Sequence, residues 1–463
     1  MTPGRSLAVL ATVVALFLAY SPAWANPFEK TLSNGLRVIV KEDRRAPTAV
    51  HMVWYRAGSM DEVDGTSGVA HLLEHMMFKG TRRLKPGEFN QRVAAAGGRD
   101  NAFTSRDYTA YFQQVPSARL GAMMALEADR MGNLVIEERE FAPELRVVME
   151  ERRLRTDDQP HAQVHESLMA AAFQAHPYRR PIVGWMSDLE SMKSADARDW
   201  YRRWYAPNNA YVVVVGDVSH ETVFRLAQKY YGAIPRRALP ERKPRAEPEQ
   251  LGPRRVVVRA AAKQPYLAMA WKVPRLRDIE QDRDPFALEV LAAVLDGHDA
   301  ARLTSNLVRG TRIAVSVGAG YDAASRGEAL FSVSGTPSEN RSVAELEAAL
   351  RAEIERVARD GVSAEELSRV KIQTIAAQVY KRDSMMAQAM EIGHSEAAGV
   401  HWRDIDRLLE RLRSVTGEEV QAVARRYFGD ATLTVAVLDP QPVDDVPARR
   451  PVAAGMPRPA PRH

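Results

Sequence analysis

His71-Leu72-Leu73-Glu74-His75 sets two imidazoles four residues apart with a carboxylate between them. At about 100° per residue on a helix, the three polar side chains fall on one face. Both imidazoles then reach a single cation, and Glu74 faces that cation's open position. Zinc suits such nitrogen donors, and H-x-x-E-H is the inverted order of a zinc motif. Hydrolysis at a centre of this kind needs a third protein ligand, a site for water and a carboxylate that takes the water's proton.

The third ligand is sought in Phe141-Ala-Pro-Glu-Leu-Arg-Val-Val-Met-Glu-Glu-Arg-Arg-Leu, which reads as a helix starting near Pro143. Glu144 and Glu151 are seven residues apart and share a face, whereas Glu150 points about 100° away from Glu151. Glu151 is assigned as the ligand and Glu144 as the carboxylate that supports it. Two neutral imidazoles and one carboxylate around one Zn2+ per chain leave a net charge of about +1, which polarises a carbonyl and acidifies water.

These elements resemble the pitrilysin-type peptidases, the family that includes insulin-degrading enzyme and the mitochondrial processing peptidase. Glu151 follows His75 by 76 positions, and Glu144 matches a second acidic residue seven places earlier. Gly97-Gly98-Arg99-Asp100-Asn101-Ala102-Phe103-Thr104 resembles the family's active-site edge strand. The resemblance implies that His71, His75 and Glu151 hold zinc and that Glu74 is the general base. It also implies that a peptide adds as a strand beside Asn101, Ala102 and Phe103. It further implies an α+β fold of two homologous halves, each a mainly antiparallel sheet with helices on one face, the LuxS/MPP-like metallohydrolase arrangement.

One part of the family pattern is missing. Active single-chain members carry an arginine and a tyrosine seven residues apart in the second half, and here Val308 and Val315 occupy those positions. Valine donates no hydrogen bond, and losing one oxyanion donor costs roughly a hundredfold or more in rate. The expected partner is therefore a homologous subunit that supplies the pair, or a second copy in a homodimer. The alternative is that Arg309, Arg312 or Tyr321 substitutes locally. The competing readings are a non-catalytic scaffold subunit descended from such peptidases, and a different zinc hydrolase or lyase with the same ligands.

The elements that must position the motif read as follows. Asn34-Gly35 marks a hairpin turn within Leu32 to Lys41, and Thr48 to Tyr55 is a strand. Helices are expected over 68–78, 86–95, 116–131, 138–157 and 159–174. Such segregation of strands from helices indicates α+β halves. Arg202-Arg203-Trp204-Tyr205 followed by Tyr211 to Asp217 recurs, 223 and 222 positions later, as Arg425-Arg426-Tyr427-Phe428 followed by Leu433 to Asp439. Each half thus closes with a helix and a buried strand. The halves are 26–235 and 255–440, joined by a Pro-rich, charged linker over 236–254. The second half has no metal motif, and His298 reads as a loop or capping histidine. Met76, Met77, Met123 and Met124 are core. Phe103, Tyr108, Tyr111 and Phe112 line a groove or pack within the sheet.

The ends are distinct. Met1 to Ala25 reads as a secretory signal, with Arg5 in the n-region, an apolar stretch over Ser6 to Tyr20 and an Ala23-Trp24-Ala25 cleavage site. A retained anchor is the alternative. Residues 441–463 are rich in Pro, Ala and Arg, and are expected to be disordered. With 0 cysteines the exported chain has no disulfides, which suits a bacterial periplasm. Cleavage removes only Arg5 among charged residues, so the formal charge falls from +5 to +4 and nucleic acid is not implied. Beyond the signal, no apolar run reaches membrane length. Arg152-Arg153-Leu154-Arg155 reads as a solvated face.

Overall fold

A computed structural model describes residues 27–442. The signal and all but the first two residues of the expected tail lie outside the described residues. The first half builds a sheet from β1 (Phe28–Thr31), β2 (Arg37–Glu42), β3 (Thr48–Tyr55), β4 (Arg99–Thr104), β5 (Thr109–Pro116) and β6 (Ala210–Gly216), in the order β1-β2-β6-β3-β5-β4. The second half uses β7 (Arg254–Ala261), β8 (Tyr266–Val273), β9 (Ala314–Tyr321), β10 (Ala329–Pro337) and β11 (Leu433–Gln441), in the order β7-β11-β8-β10-β9. Setting β1 aside, the two orders correspond strand for strand. In each sheet one pair is parallel, β2 with β6 and β7 with β11, and the rest are antiparallel. The duplication and the α+β class expected from the sequence are both present.

The Asn34-Gly35 turn joins β1 to β2, with Gly35 at φ 90°, a left-handed conformation that glycine adopts without strain. The repeated helix–strand pair is Ser194–Trp204 before β6 and Gly417–Tyr427 before β11. The first half does not close on its strand, however, because a helix, His220–Tyr231, follows β6. Gln441, expected in the tail, extends β11 and pairs with Ala261, and Arg254, expected in the linker, opens β7. The helix that carries Glu144 and Glu151 begins at Glu138, where the 138–157 segment starts, rather than near Pro143, which lies inside it. Pro143 is the sixth residue, so its missing N–H leaves the Arg139 carbonyl without an i→i−4 donor, while the acidic first turn of Glu138 and Glu140 favours that end of the helix dipole.

β3 and β6 are apolar almost without alternation because both faces of the sheet are covered. Val38, Val40, Val53, Tyr55, Val212 and Val214 face a core built with the first half's own helices. On the opposite face, Ile39, Met52, Trp54, Tyr211 and Val213 pack against Met385, Ala389 and Ile392 of a helix, Met385–Ala398, lent by the second half. The exchange is mutual. Ala268, Ala270, Ala436 and Leu438 of the second sheet receive Val164 and Leu168 from the first half's helix Pro160–Ala172. Own helices thus occupy one face, as expected, and the other half's helix seals the second face.

The closest approach in this exchange is at Gly393, where a Cβ would lie 2.1 Å from the Trp54 ring, and whose carbonyl accepts a 2.6 Å hydrogen bond from the Tyr211 hydroxyl. Gly393→Leu should therefore cost about 1–3 kcal/mol by overpacking. The expected readout is a lower urea midpoint at unchanged m. An unchanged midpoint would show that the helix does not dock on Trp54.

Candidate metal centre

The motif helix spans Val69–Met76 and starts at Gly68, which has φ 90°. A Cβ on Gly68 would meet the Val183 carbonyl at 2.4 Å, and one on Gly184 would meet the Ser67 carbonyl at 2.3 Å, so the two backbones touch only as glycines. Glu62, fully buried, accepts hydrogen bonds from Gly68 N at 3.0 Å and Ala70 N at 2.9 Å, filling two of the helix's otherwise orphaned donors. Asp188 accepts from Ser67 N and Oγ. Arg152, next to Glu151, donates to the Gly184 carbonyl at 2.9 Å and pairs with Glu166 at 2.9 Å. One loop around Gly184 thus holds both the start of the motif helix and the end of the helix that carries Glu151. The run expected to be a solvated face is divided: Arg152 is buried in this link, whereas Arg153, Leu154 and Arg155 are exposed.

The structure brings His71, His75 and Glu151 together. Glu151 Oε2 lies 3.8 Å from His71 Nε2 and 3.4 Å from His75 Nε2, and the three donors form one cluster within 4.8 Å of one another. Ligand distances of roughly 2.0–2.2 Å in a tetrahedral shell put neighbouring donors about 3.4 Å apart, so the spacing fits a zinc-sized cation. Protonation states fit as well. Burial and the neighbouring His75 push His71 down to about 3, leaving it neutral. Burial acts to raise Glu151, but the His75 hydrogen bond and the charges of His71, His75 and Arg155 outweigh it and hold the carboxyl at about 2. Burial acts against the charged His75 ring too, yet Glu144, Glu151 and Glu74 raise it to about 9. A cation would need to displace only that one proton.

Glu144 Oε1 sits 2.9 Å from His75 Nδ1, and Lys79 bonds its other oxygen. As an acceptor on Nδ1–H it fixes the tautomer that leaves Nε2 facing Glu151, so Glu144 supports His75 directly rather than Glu151 as expected. His71 Nδ1 is buried without a hydrogen-bond partner among the described residues. Glu74 lies beside the cluster, its pKa raised by burial against a 2.6 Å hydrogen bond from the Thr104 hydroxyl.

β4 ends the sheet order, so one side of it has no strand neighbour among the described residues. Asn101 Oδ1 accepts from the Ala102 N–H at 2.9 Å, and Asn101 is exposed. Ala102 faces the first core, whereas Phe103 packs on the opposite face against Trp54, with ring centroids 5.5 Å apart, and on Tyr108. Of the aromatic residues expected to line a groove or pack, Phe103, Tyr108 and Phe112 therefore pack beneath the exchanged helix, and Tyr111 lies in the first core.

In the second half, Val308 packs against its core and Val315 is exposed. The Tyr321 hydroxyl donates to the Pro274 carbonyl at 2.6 Å. His298 Nδ1 accepts from Ala300 N within a loop, so of the two readings the loop histidine holds. Among the described residues the second half holds no cluster of metal-ligating side chains.

A family model described as Insulinase (Peptidase family M16) matches residues 37–184, and one described as Peptidase M16 inactive domain matches 191–374. The zinc protease PqqE of Helicobacter pylori is 32% identical over 418 residues, covering 89% of this chain and 92% of that protein. The chain belongs to peptidase family M16. A crystal structure of a protease from Helicobacter pylori superposes on this M16 chain with a TM-score of 0.85 at 31% identity, over 89% of this chain and 99% of that one. The mitochondrial-processing peptidase subunit beta of Lentinula edodes is 34% identical over 210 residues, 45% of each protein. The pitrilysin-like resemblance is thus correct.

Sequence reasoning passed over Thr104 and Glu62. Thr104 was legible in principle, since strand alternation puts it on the same face as Ala102, toward the motif helix. Thr104→Val should lower peptide hydrolysis by about tenfold, with Thr104→Ser near wild type, because only the hydroxyl orients Glu74. Equal kcat values for the two variants would remove Thr104 from that role.

Proposed function

We propose that this chain is a zinc-dependent endopeptidase that hydrolyses short or unfolded peptides. The observation that carries the reading is the cluster of His71, His75 and Glu151 with Glu74 beside it, next to a sheet edge without a strand neighbour among the described residues. His71, His75 and Glu151 would hold one zinc ion per chain, and zinc when bound polarises a scissile carbonyl and acidifies water. Glu74 takes the proton of the attacking water on its carboxylate and returns it to the leaving amine. Thr104 holds that carboxylate in place, and Glu144 keeps His75 in the tautomer that presents Nε2. An extended peptide pairs along β4 at Asn101, Ala102 and Phe103, replacing the bond that Asn101 makes to Ala102 N; main-chain pairing of this kind supplies affinity with loose sequence preference.

The absence of a hydrogen-bond donor at Val308 and Val315 motivates a second part of the proposal: a homologous subunit, or the second copy in a homodimer, supplies the missing arginine and tyrosine. The chain is proposed to act after export to a periplasm. The reading of residues 1–25 supports export, and among the described residues no helix is long and apolar enough to cross a membrane.

The test is hydrolysis of a quenched fluorescent peptide mixture by the purified chain, with metal content measured in parallel. One zinc per chain, with activity abolished by a chelator and restored by zinc, is the expected result. Zinc binding without cleavage by the chain alone, with cleavage after a homologous subunit is added, would assign the missing donors to the partner. Absence of zinc at saturating concentration would overturn the metal assignment.

A further inference from the structure

A cavity of about 720 Å³ lies at the C-terminal end of the exchanged helix Met385–Ala398, and its wall carries Arg37, Arg56, Arg242, Arg275, Arg277 and Arg326. The first three come from the first half and the segment that joins the halves. The last three come from the second half. The only acid in the wall is Glu396. It pairs with Arg37 at 2.6 Å and lies 3.7 Å from Arg56. Three acids stand behind the wall: Glu29, on Arg37; Asp61, shared by Arg242 at 2.8 Å and Arg326 at 3.0 Å; and Asp107, whose Oδ2 accepts from Arg326 N at 3.0 Å. Six guanidiniums against four carboxylates leave about two positive charges uncompensated, since arginine stays protonated.

The excess falls on particular residues. Arg275 reaches the Ser325 carbonyl at 3.0 Å and no carboxylate among the described residues. The Arg277 guanidinium has no ion-pair partner there either. Burial holds Arg56 below its ordinary pKa; Tyr211 and Glu396 act against that shift, and the charges of Arg37 and Arg242 add to it. Like charges gathered in a concave wall repel one another and destabilise the empty fold unless an anion enters. Guanidinium forks match oxyanions in pairs, and the volume suits a ligand of several such groups.

We infer that this cavity is a binding site for a small anion bearing several oxyanion groups, clasped by arginines from both halves. It is separate from the metal centre, whose residues lie on the opposite face of the first sheet with the motif helix. The chemistry is shared by phosphate esters and by clustered carboxylates of an acidic peptide. Because Arg37 and Arg56 belong to the first half and Arg275 and Arg326 to the second, an occupant also cross-links the two.

The probe is pyrene-1,3,6,8-tetrasulfonate, a fluorescent tetra-anion with little affinity for zinc, titrated into the full-length mature protein at about 0.15 M salt and followed by anisotropy. Saturable binding of one probe per chain is expected, weakened about tenfold for each guanidinium removed in Arg277→Gln and in Arg56→Gln/Arg277→Gln. The exposed pair Arg82→Gln/Arg119→Gln should bind as wild type does. Arg277→Gln touches no ion pair, so it keeps the test valid even where the double variant folds poorly. Competition by fructose 1,6-bisphosphate or by tetraglutamate then identifies a phosphate-ester or a carboxylate ligand, and either outcome supports the site. Non-saturable binding up to millimolar probe, or equal loss in the Arg82/Arg119 control, would overturn it.

Discussion

Glu74→Gln should lower kcat for peptide hydrolysis on the order of a thousandfold while leaving the zinc content and KM nearly unchanged. The substitution keeps the shape of the side chain, and the carboxamide oxygen still accepts from the Thr104 hydroxyl, which bonds Glu74 at 2.6 Å in the parent. What disappears is the capacity to take a proton. Glu74 is suited to that task because burial raises its pKa toward the working range, against the Thr104 hydrogen bond and the charge of His75. The parallel variant Glu151→Gln separates roles: it should lose zinc as well as activity, because an anionic donor 3.4 Å from His75 Nε2 is replaced by a neutral one. A Glu74→Gln protein that cleaves as fast as wild type would sink the general-base assignment, whereas loss of zinc from it would make Glu74 a ligand.

The second large effect is on stability. Arg130 and Glu127, both fully buried, form a forked pair with contacts of 2.6 and 2.9 Å. Rings of Phe78, Phe89 and Tyr111 surround the guanidinium at 4.9, 4.1 and 4.5 Å. Gln113 donates to Glu127 at 2.9 Å and contacts His51 Nδ1 at 2.7 Å, and Tyr231 closes the chain on His51 Nε2 at 3.1 Å. Arg130→Met strands the Glu127 carboxylate in this enclosure and should cost about 3–5 kcal/mol. Arg130→Met/Glu127→Leu removes both charges and should recover much of the loss, giving a large coupling energy in the double-mutant cycle. Urea unfolding measures all three variants. Additive losses would mean that the two side chains act independently.

That pair illustrates where sequence reading stops. Within Leu120–Asn133, the run Glu127-Ala-Asp-Arg130 has the charges of an ordinary solvated helix face, and nothing local announces three aromatic rings from other segments. The arginine cavity is hidden for the same reason, since its guanidiniums come from separate stretches of both halves. The helix Met385–Ala398 was legible neither in its role nor in its docking site. An apolar helix face says that something will cover it, but not that the covering surface is the sheet of the other half. By contrast, the uninterrupted valines of β6 already required cover on both faces.

What the sequence by itself determined is what short-range geometry controls. The four-residue spacing of His71 and His75 puts both rings on one helical turn, seven residues put Glu144 and Glu151 on one face, and the recurring helix–strand pair discloses the duplication. Only the tertiary structure decided which atoms meet: Glu151 Oε2 between two Nε2 atoms, Glu144 on Nδ1 of His75, Thr104 on Glu74, and the exchange of helices that locks the halves. Those contacts depend on how elements distant in the chain pack, and packing is set by the shape and burial of whole surfaces rather than by residue spacing.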